Sequence, residues 1–123
     1  ETDRMDVGYH SNYRVWFETA RVQMLDQIGI SYREIESRGL FLPVLTINAR
    51  YISPAYFDDR LEVHLYMKKK PRARMYFDYE VQRDKEILVT GHTSHGFVDR
   101  LRKVQRPPDN ILHLIDIAWS KQD

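Results

Sequence analysis

Cysteine is absent from these 123 residues, which removes disulfides, thiol nucleophiles and thiolate metal sites from consideration. No apolar run approaches the roughly 18 residues that a membrane-spanning helix needs, so no membrane partner is expected. An excess of either charge sign is missing too. The 19 Lys and Arg against 18 Asp and Glu leave a net charge of +1, so any basic surface must be local. The opening residues are charged and polar, and no secretory signal is visible among them; a cytoplasmic location is the simpler reading. No internal repeat, low-complexity tract or interdomain linker interrupts the chain, and its length fits one domain spanning residues 1–123.

Apolar residues make up 42% and charged residues 30%, with eight Tyr, five Phe and two Trp. That is too much aromatic bulk for disorder and enough for a modest core. From Asn12 to about Ile28, Val15, Trp16, Ala20, Met24, Leu25 and Ile28 recur at helical spacing, with Arg14, Glu18, Arg21 and Asp26 mostly between them. Gly29 stands where a helix commonly stops. Ser31 to Gly39 has room for a short second helix. Trp16 and Phe17 widen the apolar stripe, as expected of a helix covered on several sides.

The period then changes. Leu61, Val63, Leu65 and Met67 alternate with polar neighbours, as do Met75, Phe77, Tyr79 and Val81. Both runs read as strands with one buried face. Further strands are predicted over about Val44–Ser53 and Glu86–Arg100. The links Pro54–Arg60, Lys69–Ala73 and Arg83–Lys85 are short, which predicts an antiparallel meander. After Pro107-Pro108-Asp109, the residues Ile111, Leu112, Leu114 and Ile115 predict a terminal helix capped by polar residues. One long helix plus a curved antiparallel sheet makes an α+β domain with the sheet wrapped around the helix.

The chemistry concentrates in Thr2-Asp3-Arg4-Met5-Asp6-Val7-Gly8-Tyr9-His10-Ser11-Asn12-Tyr13. An early carboxylate stands ahead of a helix start that carries His10 and Asn12. A carboxylate activates water, and helix-start N–H groups hold a developing oxyanion. The bland alternative is a loop Asp that caps a turn or the helix. Asn12 as a plain N-cap would look the same, and Tyr13 reads as a packing residue. His92 and His95 fall on opposite faces of their strand and read as satisfied sheet histidines, so no metal is expected.

These residues resemble a known family. Thr2-Asp3, Tyr9-His10-Ser11-Asn12-Tyr13, Phe17-Glu18 and Ala20-Arg21 are similar to the signature of hotdog-fold acyl-CoA thioesterases of the 4-hydroxybenzoyl-CoA thioesterase type. The resemblance continues through Tyr51–Pro54, the strand pair after Asp59, and Phe97-Val98-Asp99 with its basic stretch before Pro107. Two positions depart from it: Asp6 replaces the usual Gly, and Gly8 a common β-branched residue. The resemblance implies a hotdog fold with a first strand upstream of Glu1, and hydrolysis of acyl-CoA to free acid and CoA. It assigns Asp3 as general base or nucleophile. His10 would supply the oxyanion N–H or act through its imidazole, and Asn12 would fix Asp3. No cofactor is required, because CoA is the carrier part of the substrate.

Two basic segments, Lys68-Lys69-Lys70-Pro71-Arg72-Ala73-Arg74 and Arg100 to Arg106, read as solvated loops on composition alone. The resemblance places such segments at the rim that binds CoA phosphates, with Arg72, Arg102, Lys103 and Arg106 as candidates. It further implies a homodimer or homotetramer with substrate sites at the interface. Other readings stay open: an acyl-carrier-protein thioesterase, a non-catalytic acyl-CoA-binding protein, or a single-strand nucleic-acid binder using Tyr66, Tyr76 and Tyr79. The balanced charge and the Asp3–His10 segment argue against nucleic acid.

Overall fold

A helix ends where the sequence places glycine: α1, Tyr13–Gln27, closes with Gly29 at φ 91°. The Ile30 N–H reaches the Leu25 carbonyl at 2.8 Å and the Gly29 N–H reaches Asp26 at 3.0 Å. This is the Schellman pair of bonds, which satisfies the last carbonyls while Ile30 turns back into the core. The computed structural model in which this is seen describes residues 3–8, 13–56 and 59–122, with only the backbone course of residues 3–8. The short α2, Tyr32–Ser37, follows at once, its N-cap Ser31 accepting the Glu34 N–H.

Five strands form one antiparallel sheet in the order β1-β3-β4-β5-β2. They are β1 (Asp3–Gly8), β2 (Val44–Tyr51), β3 (Arg60–Met67), β4 (Arg74–Arg83) and β5 (Glu86–Gly96), and α3 (Asp109–Lys121) ends the chain. The period-two runs are borne out: Leu61, Val63, Leu65, Met67, Met75, Phe77, Tyr79 and Val81 are all buried.

Several expectations are corrected. The meander holds only for β3, β4 and β5. β2 sits beside β5, so the Pro54–Arg60 link is a crossover between non-neighbours; link length alone does not specify pairing. Residues 3–8 form an edge strand opposite β3, pairing Asp3 with Leu65 and Gly8 with Arg60, where a loop is read from the motif. The unpaired backbone along β3 supplies the partner that a loop reading overlooks. α3 carries no polar cap either: Pro108 is its N-cap, with no side-chain bond.

The last strand also stops early, at Gly96. Residues 97–105 fold back on themselves, with Gln105 N–H bonding the Phe97 carbonyl at 2.8 Å. The Asp99 carboxylate accepts the N–H groups of Leu101 and Lys103, each at 2.9 Å.

The helix docks through Trp16, Phe17, Ala20, Arg21, Met24 and Leu25. Val15 is 47% exposed, whereas Arg21 is only 5% exposed, reversing their expected faces. Arg21 shares the stripe of Phe17 and Met24, one turn away on either side. Glu18 is exposed and requires no buried partner. The sheet therefore covers one face of α1, and its opposite face is open in the single chain.

Candidate functional site

The motif's described flanks lie at one end of the sheet. Gly8 pairs with Arg60 at the start of β3. Tyr13 opens α1, its ring 5.6 Å from Phe17 and 5.7 Å from Tyr51. Tyr13 packs its ring between these two aromatic neighbours. His10 and Asn12 lie outside the described residues. Asp3 lies in β1, five residues before Gly8; at about 3.3 Å per residue its backbone stands ~17 Å along the strand from Gly8. The strand brings Asp6, not Asp3, within two residues of that end.

The basic candidates occupy the other end. Phe97 N–H bonds the Ala73 carbonyl at 3.2 Å, which joins the connection carrying Arg72 to the turn carrying Arg102 and Lys103. Arg72, Arg102, Lys103 and Arg106 are all exposed. β4 separates this end from the helix start by ten residues, ~30 Å of extended chain. Within one chain the structure gathers the basic residues together but keeps them away from Tyr13.

Beside the basic turn runs a groove of about 610 Å³ lined by Phe41, Pro43, Leu45, Val98, Asp99, Arg100 and Arg102. Its guanidinium groups and apolar floor suit a phosphate-bearing ligand with an apolar portion. β2 borders it, and the outer edge of β2 is unpaired among the described residues. That edge exposes Val44, Leu45 and Tyr51, followed by Ile52.

Beneath α1 is a polar chain that sequence reading missed. Arg21 Nη1 donates to the Tyr79 hydroxyl at 3.2 Å. The Tyr79 and Thr93 hydroxyls are 2.5 Å apart, and Thr93 Oγ1 lies 2.9 Å from His95 Nε2. Arg21 can only donate, so the Tyr79 oxygen accepts from it; either hydroxyl can donate in the Tyr79–Thr93 bond, and the direction of the Thr93–His95 bond follows the imidazole tautomer. Burial, and then the Arg21 charge, push the imidazole down to about 3, so His95 is neutral. Burial pushes Tyr79 up to about 12. Arg21 is held above its ordinary value by Tyr79 and Tyr32, which outweigh the lowering by burial. The signals were present: Arg21 follows Phe17 by four, and Tyr79, Thr93 and His95 share the inward parity of their strands.

The histidines divide as expected. His92 is exposed and pairs with Asp78, while His95 is buried. Among the described residues no group of three His, Asp or Glu could hold a metal ion, and no helix is long and apolar enough to cross a membrane. The nucleic-acid reading loses a stacking surface. Tyr79 is 1% exposed beneath Phe17, and Lys69 covers the Tyr76 ring at 4.7 Å.

Comparisons with known proteins agree on one family. The family model described as "Thioesterase-like superfamily" matches residues 1–115. A Bacillus subtilis protein named "Putative acyl-CoA thioesterase YneP" is 30% identical over 101 residues, covering 81% of this chain and 73% of its own. A solved structure described as a DHNA-CoA thioesterase from Staphylococcus aureus superposes with a TM-score of 0.84 at 26% identity, over 98% of this chain and 89% of that one. Another, a 1,4-dihydroxy-2-naphthoyl-CoA thioesterase from Synechocystis, has a TM-score of 0.84 at 19% identity, covering 98% of both chains; at that identity it shows the shared fold.

Proposed function

Because this chain belongs to the thioesterase-like superfamily, we propose that it hydrolyses an acyl-CoA thioester to a free acid and CoA, on the hotdog α+β domain predicted from its sequence. The observation that carries this reading is a family match over residues 1–115, including the motif that leads into α1. Water adds to the thioester carbonyl, and the tetrahedral oxyanion collapses by expelling the CoA thiolate, which takes up a proton. Asp3 is the base that deprotonates the water, or the nucleophile that attacks first. The N–H at His10, at the approach to α1, stabilises the oxyanion. Asn12 steadies the motif and Tyr13 packs it against Tyr51. No cofactor enters this chemistry, and the cytoplasm, where CoA thioesters are made and used, is its setting.

The course of β1 supports a second reading of the base, since it carries Asp6 closest to the helix start. Asp3→Asn and Asp6→Asn, assayed side by side on acyl-CoA substrates, decide between them. Asp3→Asn is expected to lose on the order of a hundredfold in kcat with the fold intact. The loss moves to Asp6→Asn if the second reading holds. Undiminished hydrolysis in both variants would refute a carboxylate mechanism in this segment. Turnover of acyl groups on a carrier protein, with none on CoA, would instead favour the acyl-carrier-protein substrate.

The assembly that fits is a two-fold dimer, or a tetramer made of such dimers, joined along β2. β2 runs from the basic end at Val44, opposite His95, to the helix-start end at Tyr51, opposite Val89. Pairing two β2 edges antiparallel sets the Tyr51 end of one protomer beside the Val44 end of its partner. Arg102 and Lys103 of one chain are thereby brought toward the helix start of the other. Arg102, Lys103, Arg106 and, across the Ala73–Phe97 contact, Arg72 then hold the CoA phosphates of the partner's site.

A further inference from the structure

Two connections share their anchor points. The segment between Gly8 and Tyr13 leaves the sheet opposite Arg60 and enters α1 against Tyr51. The crossover from β2 to β3 leaves at Tyr51 and enters the sheet at Arg60. The crossover therefore borders both flanks of the motif, and its first residue, Tyr51, is in ring contact with Tyr13.

One side chain clamps the crossover. Arg83, at the end of β4, donates from Nη1 to the Pro54 carbonyl at 3.1 Å and to Asp59 Oδ2 at 2.7 Å. Its Nη2 donates to Glu86 at 2.9 Å. The Tyr56 ring lies under its guanidinium at 5.4 Å, and the Tyr56 N–H closes the loop onto Asp59 Oδ2 at 2.5 Å. Glu86 ties the guanidinium back to β5, at the turn built on Asp84 and Lys85, which have φ of 49° and 71°. A planar fork satisfied on both nitrogens is a rigid strut, unlike an exposed ion pair on flexible arms. It spans the crossover from Pro54 to Asp59, and it leaves Tyr51, Ile52 and Tyr56 exposed by 59%, 56% and 60% along that connection.

We propose that Arg83 is a positioning residue for the thioester site: by clamping the crossover it fixes the pose of the exposed Tyr51–Ile52 rim that meets the acyl group, and through the Tyr51–Tyr13 ring contact it steadies the start of α1. The proposal rests on the thioesterase reading for its substrate. Arg83 acts through the crossover and touches no reacting atom.

The test uses the full chain with Arg83→Ala, Arg83→Lys and Asp59→Asn. Steady-state kinetics on acyl-CoA are combined with amide hydrogen exchange. Arg83→Ala is expected to raise KM about tenfold or more, with kcat changed less than about threefold. Exchange should quicken at residues 52–56 and also at 13–17. Arg83→Lys, a point charge that reaches Asp59 without forking to Pro54, should recover part of the KM. Asp59→Asn should weaken binding in the same direction by less. Unchanged KM in Arg83→Ala would overturn the proposal, as would a parallel loss of kcat and folded fraction or an α1 start protected as in the parent. Exchange reads the clamp without any turnover. A parent that hydrolyses no thioester while Arg83→Ala still loosens residues 13–17 would sink the substrate assignment and leave the clamp standing.

Discussion

Phe17 lies on Gly91 so closely that a Cβ built on the glycine would stand 2.4 Å from two carbons of the ring. The ring stacks on Tyr79 with centroids 4.2 Å apart and planes at 11°. The bare backbone of β5 at Gly91 thus admits the Phe17 ring and sets how deep α1 sits.

Gly91→Ala should for that reason cost about 3 kcal/mol, at the upper end for overpacking, since the Asn48 carbonyl at 2.9 Å blocks retreat on the other side. Chemical denaturation measures it. Combining it with Phe17→Leu should be less damaging than the sum of the two changes. Strict additivity would show that the contact is not tight in solution.

The buried Arg21 inverts the usual expectation for a charged residue. Its nearest polar partners are phenols, not carboxylates, and the support that raises Arg21 needs Tyr79 or Tyr32 ionised. With Tyr79 pushed up to about 12, the charge has little Coulombic return near neutral pH. Arg21→Met should be close to neutral or stabilising. Tyr79→Phe should cost about 2 kcal/mol, because it leaves the guanidinium and Thr93 short of a partner. Denaturation midpoints of the two variants check the order; a greater loss in Arg21→Met would show that the charge itself holds the helix.

Acid should destabilise the fold early. His95 titrates at about 3 in the fold against 6.5 when free, so between those values the unfolded chain binds the extra proton. Stability is full above about pH 6.5 and falls as pH drops, by about 2 kcal/mol at pH 5. Asp59 and Asp99, both held below the ordinary carboxylate range chiefly by backbone N–H donors, lose their contributions in a lower window. His95→Gln should flatten the slope between pH 7 and pH 5 in a thermal scan and leave the lower limb in place.

What was legible in the sequence is what local rules encode. Gly29 ended α1 because two backbone hydrogen bonds sufficed to close it, and β3 and β4 announced their inward faces by parity. Strand order is not local: nothing within Val44–Tyr51 says that it pairs with β5, and the crossover was mistaken for a hairpin link. Arg21 was placed with the polar residues between the apolar positions, although its interval of four from Phe17 pointed inward. The site was legible as a motif and not as a place. Asp3 falls on a strand, and the residues expected to hold CoA gather at the far end of the same sheet.

That separation supplies the last prediction. If one protomer's basic end serves its partner's helix start, no chain carries a whole site alone. Asp3→Asn removes the chemistry but leaves Arg102 and Arg106 intact, while the double Arg102→Ala, Arg106→Ala change does the reverse. Each variant by itself should be strongly impaired at subsaturating acyl-CoA. Mixed and allowed to exchange subunits, they form hybrids in which one of the two sites is built entirely from unaltered residues. Random pairing makes half of the dimers hybrid, so about a quarter of the parent's activity should return. Activity in the mixture equal to the mean of the two separate variants would show that each site draws its phosphate-binding residues from its own chain. The β2-edge dimer would then lose its functional argument, with the role of Asp3 unaffected.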